Sequence, residues 1–153
     1  MKIVAIVGSF VLSAVAAYFL IGRFSSGSFG TPAATEIEWR TLTGLDYVTG
    51  QTSEELKNLN GKVIRMPGFM VPLEDNQKIV KEFLLVPTAQ ACIHVPPPPP
   101  NQMVLVRMEE GKGTEVQYGP IWIYGILKVE TDTTVYGAVS FQLTGTYIEP
   151  FKF

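Results

Sequence analysis

Cys92 and His94 are the chain's only cysteine and only histidine, and they stand two positions apart in "ACIHVPPPPPNQ", residues 91–102. Val95 precedes a proline, whose ring pushes it toward the extended region. On an extended backbone, residues i and i+2 point to the same face, so thiol and imidazole are expected side by side. Three chemistries fit such a pair: a shared metal, a nucleophile with its base, or two polar groups filling one pocket. Zinc asks for about four ligands, or three and a water. Cys92 and His94 supply two, so carboxylates (Glu74, Asp75, Glu82) or methionines (Met66, Met70, Met103) must complete the set. A thiolate, an imidazole and the Met70 thioether would suit copper better than zinc. Thiolate catalysis needs a base and a group that orients it, and predicts a depressed thiol pKa. No acyl-transfer signature or oxyanion loop surrounds the pair, so catalysis is the weaker reading. The plain structural alternative makes Cys92 a small core residue and His94 a donor to the backbone.

Pro96, Pro97, Pro98, Pro99 and Pro100 follow at once. They offer no backbone donors and lock φ, which predicts a polyproline II rod of about 15 Å. Such a rod is a preformed ligand for an aromatic groove on a partner. It also serves as a stiff crossover, stacked on the chain's own Trp39, Trp122 or Tyr124. Its position between two strands favours the crossover.

The elements that must hold this segment are mostly strands. Residues 62–73, 82–87, 102–108, 120–130 and 139–149 are rich in β-branched and aromatic residues, and "EDNQ", the prolines, "EEGKG" and "ETDTT" separate them as turns. Three of the strands carry a mid-strand glycine (Gly68, Gly125, Gly145), which suggests the coils or bulges that close small barrels. The expected fold is mainly β: a small five-stranded, partly open Greek-key barrel of the OB-like kind with one short helix, a β-sandwich being the alternative. Thr52 and Glu55 read as a capping box opening a helix over 52–61, and Asn60-Gly61 as its stop. A second short helix fits 75–82. Trp39, Leu42, Leu45 and Tyr47 are expected to pack as an irregular cover.

Residues 3–22 form a run of 20 without a charge. As a helix it rises about 30 Å, enough to cross a bilayer. The expectation is a transmembrane anchor over 1–22, a flexible Gly/Ser-rich linker over 23–36 and an exported domain over 37–153. "AVAA" at 14–17 offers the alternative of a cleaved signal and release into the periplasm. Lys2 before the run and a lone Arg23 after it favour a cytoplasmic N-terminus by about one charge. Lys2 and Arg23 are the only charges in residues 1–30, which leaves ten basic against fourteen acidic residues, net −4, beyond them. An acidic domain without a basic run is a poor match for nucleic acid. A lone cysteine allows no internal disulfide, so the fold must rest on its core.

"GKVIRMPGFMVPLE", "EFLLVP", "ACIHVPPPPPNQMVLV" and "GPIWIYGILKVE" together resemble a bacterial domain-of-unknown-function family, number 3299, of exported, membrane- or lipid-anchored proteins. The likeness covers residues 37–151. It implies Cys92, His94, Pro96–Pro100, Asn101 and Gln102 as the defining segment and implies no activity. Some members lie beside metal transport systems. This chain lacks a lipid-attachment cysteine, so the apolar helix is the expected anchor. The expected function is that of a membrane-anchored cell-envelope binding or accessory module. It would act through Cys92–Gln102 on an envelope protein partner or small ligand, with its domain facing the periplasm from the inner membrane. The alternative is a copper or zinc binding protein that uses Cys92 and His94.

Overall fold

The computed structural model describes residues 33–73, 78–89, 98–109 and 112–151. The apolar run over 3–22, the linker as far as residue 32, and Cys92, His94, Pro96 and Pro97 lie outside those residues. Among the described residues, no helix is long and apolar enough to cross a membrane.

The described chain is mainly β. It opens with β1 (Thr35–Glu36), α1 (Trp39–Leu42) and α2 (Glu54–Leu59), then β2 (Val63–Pro72), β3 (Ile79–Val80) and β4 (Glu82–Val86). A 3-10 turn (Pro100–Gln102) leads into β5 (Val104–Met108), β6 (Thr114–Glu115), β7 (Pro120–Thr134) and β8 (Gly137–Pro150). All five expected strands are present. Their sheet runs β1-β2-β4-β5-β8-β7, and β2 also pairs with β7, so five strands form a hydrogen-bonded ring. Every pair around the ring is antiparallel except β5 with β8, which is parallel.

Alternation fills the ring. Ile64, Met66, Phe83, Leu85, Val104, Val106, Ile121, Ile123, Phe141 and Leu143 point inward at two-residue spacing, and each is buried. Ile37, Leu42, Leu45 and Leu56 join the same core from α1, α2 and the chain around them. The outward residues Leu84, Val86 and Leu105 are buried too, in a second cluster with Met103 and Val139. A run that is apolar at every position, such as "FLLV" in β4, therefore marks a strand covered on both faces.

The sequence-based expectations need four corrections. Residues 79–80 are a strand paired with β6 rather than part of a helix. "ETDTT" is not a turn, because β7 continues through it to Thr134 and the reversal falls just beyond, before Gly137 at φ 116. Tyr47 is 49% exposed, so the cover consists of Leu42, Leu45 and the half-buried Trp39. Finally, the N-cap of α2 is Ser53, whose Oγ accepts from Leu56 N at 3.3 Å, and no capping box forms. Thr52 is unavailable because it bridges Leu45 and its hydroxyl donates to Gly50 O. Ser53→Ala should therefore cost about 1 kcal/mol, and Thr52→Ala clearly less. Urea unfolding of the two variants checks the order. The expected stop does form: Gly61 takes φ 77 and donates to Leu127 O, while Asn60 Oδ1 accepts from Val129 N.

Candidate functional site

The described half of the proline segment is seated on the domain. Pro99 is exposed and holds φ −62, ψ 154, a polyproline II conformation. Pro100 instead opens the 3-10 turn, where the missing N–H of a proline costs nothing, and Gln102 N donates to Pro99 O at 2.8 Å. Of the rod expected over 96–100, Pro99 has that conformation and Pro100 does not. The Asn101 side-chain amide donates to Leu45 O at 3.0 Å, and the turn packs against β8 and α1. Pro98, Pro100, Asn101 and Gln102 are all half-buried, and Met103 beyond them is fully buried.

The candidate metal ligands fall in different places. Met70 is 7% exposed and belongs to the central core, in register with Leu85. Met66 is in that core as well, Met103 is in the second cluster, and Glu82 is ion-paired with Arg107. Glu74 and Asp75, like Cys92 and His94, lie outside the described residues. Among the described residues, no three His, Cys, Asp or Glu side chains gather as a metal site.

A second constellation was not anticipated from the sequence. On the outer face of β2, β7 and β8, Arg65 stands in register with Tyr124, and Tyr124 with Tyr147; beside them Pro67 aligns with Trp122, and Trp122 with Glu149. Arg65 Nη1 donates to the Tyr124 hydroxyl at 3.1 Å, which in turn donates to Glu149 Oε1 at 2.7 Å. The other side of the guanidinium, Nε and Nη2, binds Glu36 Oε2 at 3.2 and 2.6 Å. Its carbon lies 4.8 Å from the Trp122 ring centre, a cation–π distance. Phe151 stacks on Trp122 at 5.2 Å, Tyr147 tilts against Tyr124 at 5.4 Å, and the Trp39 indole N–H donates to Pro67 O. Trp122 and Tyr124, two of the aromatics considered as platforms for the rod, are thus engaged by Arg65, Phe151 and Tyr147.

A bulge aims the β8 part of this face. Tyr124 pairs with Tyr147 and Gly125 with Gly145, so Thr146 is the extra residue, and its hydroxyl donates to Tyr124 O at 3.2 Å. Before the bulge, odd-numbered residues of β8 point inward (Phe141, Leu143); after it Ile148 packs on the core while Tyr147 and Glu149 face out. Strict alternation from Phe141 places Tyr147 and Glu149 inside, which is why period counting misses them. The available signal was the i, i+2 spacing of Arg65/Pro67 and Trp122/Tyr124.

The network sets its own protonation. Burial, and then donation to Glu149, push the Tyr124 phenol above the ordinary 10.0, with Arg65 opposing. The bonds to Tyr124 and Glu36 raise the Arg65 guanidinium further. A phenol whose pKa is raised on folding gives stability that is full below about pH 10 and lost as pH climbs through the folded value. Tyr124→Phe should lower stability by about 1–2 kcal/mol at pH 7, since Arg65 and Glu149 each lose a partner. It should also flatten the decline above pH 10, which urea midpoints measured from pH 7 to 11 would reveal. An unchanged decline would assign it to other groups.

A family model described as a protein of unknown function, DUF3299, matches residues 43–150. No curated protein matches the chain. The crystal structure of a DUF3299 family protein from Pseudomonas aeruginosa PAO1 is similar to it, with a TM-score of 0.63 and 28% identity, over 79% of this chain and 98% of that one.

Proposed function

This chain belongs to the DUF3299 family of proteins of unknown function, and on that footing we propose that it is a membrane-anchored binding or accessory module of the cell envelope. It is built on an OB-like, Greek-key barrel and acts through the segment Cys92–Gln102. Two features support the barrel reading: the circular order β2-β4-β5-β8-β7, and its single parallel pair, between β5 and β8. The uncharged run over 3–22 supports the anchor, and the Gly/Ser-rich stretch after it supports a tether to the membrane.

The observation that carries the reading is the pinning of Asn101 to Leu45 O, together with the 3-10 turn that begins at Pro100. A recognition segment gains when its ordering entropy is lost during folding rather than on binding. Here the folded domain grips the segment at its C-terminal end, and Pro99 holds the polyproline form that aromatic grooves accept. The test uses the full chain in its native membrane, with a photo-crosslinking residue at position 97 or, as a control, at the exposed Tyr118. Adducts to an envelope protein from 97 and not from 118 are expected. The same adducts from both positions, or none from 97, would reject the reading.

A second reading, copper or zinc binding through Cys92 and His94, rests on the pairing of those two residue types in the sequence. Met70, the expected third ligand, is buried in the central core in register with Leu85. Full-length protein exposed to Cu(I) or Zn(II) and then desalted should retain metal that the Cys92→Ala, His94→Ala double variant does not. Equal, negligible metal in both would eliminate it.

A further inference from the structure

The outer face of β2, β7 and β8 holds a shallow cleft of about 380 Å³ lined by Trp122, Tyr147, Glu149 and Pro150. We infer that this cleft is a binding site for a neutral pyranose glycan, with a sugar ring stacked on Tyr147 beside Trp122 and its hydroxyls bonded to Glu149. The site uses none of the residues on which the Cys92–Gln102 reading rests.

Four observations lead to that class of ligand. First, Tyr147 is 46% exposed although it is paired with Tyr124 across β7 and β8, and its hydroxyl has no hydrogen bond among the described residues. An aromatic face left open beside a polar group suits a ligand with one apolar face and a polar rim, as a pyranose has. Second, Glu149 spends Oε1 on Tyr124 and leaves Oε2 as an acceptor at the cleft, where a sugar hydroxyl can donate. Third, the charges do not ask for an ion. Glu149 opposes an anion, and the Arg65 guanidinium already occupies the cation–π position on Trp122. Arg65 is itself matched by Glu36 at 2.6 Å. Fourth, the groups are preorganised. Tyr147 and Glu149 project from β8 at i, i+2, Trp122 is the cross-strand partner of Glu149, and Phe151 and Arg65 hold the Trp122 ring. The volume lies at the low end for ligand sites, which fits one or two sugar rings better than an extended peptide needing several pockets.

The bulge at Thr146 belongs to the same device. It alone turns Tyr147 and Glu149 to the outside, and bulges recur where a strand must re-aim a side chain.

The test titrates the full chain with tri-N-acetylchitotriose and with cellotriose, following tryptophan emission. Decaproline and tetramethylammonium stand for the other possible occupants, a polyproline peptide and an organic cation. At least one sugar should saturate the signal with a midpoint around 1 mM, as one stacked ring and a few hydrogen bonds predict. Tyr147→Ala and Glu149→Gln should each weaken that binding by about fivefold or more, and Tyr147→Phe by much less. Circular dichroism melts of the variants control for folding, which the exposure of Tyr147 should leave intact. The inference is overturned if neither sugar saturates by about 10 mM. It is equally overturned if Tyr147→Ala binds as tightly as the parent, or if decaproline or tetramethylammonium binds where the sugars do not.

Discussion

Gly125→Ala should destabilise the protein by about 3 kcal/mol, the upper range for forcing a methyl into a filled site. A Cβ on Gly125 would overlap the carbonyl oxygen of Thr144 and come within 3.0 Å of Leu143 Cγ. That oxygen is part of the β8 backbone, so no side-chain rotation relieves the overlap; the β7–β8 pair would have to separate at the bulge. The neighbouring glycines set a scale. At Gly68 a Cβ would meet Leu85 Cγ at 2.7 Å and Val86 O at 3.0 Å, a cost shared between a side chain and the backbone. At Gly145 the nearest atom is Met108 Sδ at 2.7 Å, the far end of a flexible chain. Gly119 has nothing within 4 Å. The expected order of loss is Gly125, Gly68, Gly145, Gly119, with Gly119→Ala near zero, read from urea midpoints at constant slope. Gly125→Ala within about 0.5 kcal/mol of the parent would mean that the strands are not this close.

That ranking bears on what the sequence discloses. The recurrence of Gly68, Gly125 and Gly145 in three strands pointed to coils or bulges, and Gly125 and Gly145 do face each other at one. The cause is proximity rather than dihedral freedom, since among the described residues the glycines with positive φ are Gly50, Gly61 and Gly137. Strand positions were legible because enrichment in β-branched and aromatic residues between turn-forming clusters is a local signal. The ring order was not, because the parallel pairing of β5 with β8 joins residues about 37 apart in sequence, such as Val104 with Phe141, and leaves no mark on either strand. The cap of α2 was misplaced by one residue because Thr52, with Glu55 three residues on, matches a capping box, although serine is the better single capping side chain. What separates them is the bridge from Thr52 to Leu45, a tertiary fact.

The Arg65–Tyr124–Glu149 network illustrates a different obstacle. Its members come from residues 65, 124 and 149, on three strands, and one of them changes face at a bulge. No window of sequence contains the set, and period counting puts one member on the wrong side. A cysteine and a histidine two apart draw attention because both are rare and adjacent. A tyrosine, an arginine and a glutamate draw none until the sheet closes. Chemistry assembled across strands is invisible for the same reason that it is rigid: each group is held by a different part of the fold.

Leu56→Ala should cost about 3 kcal/mol, and the loss should appear in the cooperative unfolding of the whole domain. α2 has six residues, too few to persist in water on their own propensity. Leu56 is its only fully buried residue, at 0% exposure, and sits in the central core with Leu42, Leu45 and Ile37. Truncation removes that anchor and leaves a cavity under the cover. The helix cannot simply fray away, because its C-terminal end is bonded to β7 through Asn60 Oδ1 and Val129 N, and through Gly61 N and Leu127 O. Its N-terminal side is bonded to α1's connection through Ser53 N and Gly44 O. The same cover supplies Leu45 O, the acceptor that holds Asn101. Leu56→Ala should therefore lower the urea midpoint at an unchanged slope, and also loosen the seat of the Pro98–Gln102 turn, read as faster amide exchange at Gln102. If the midpoint holds and only the amides of α2 exchange faster, the helix is an independent flap, and the proline segment owes its position to β8 alone.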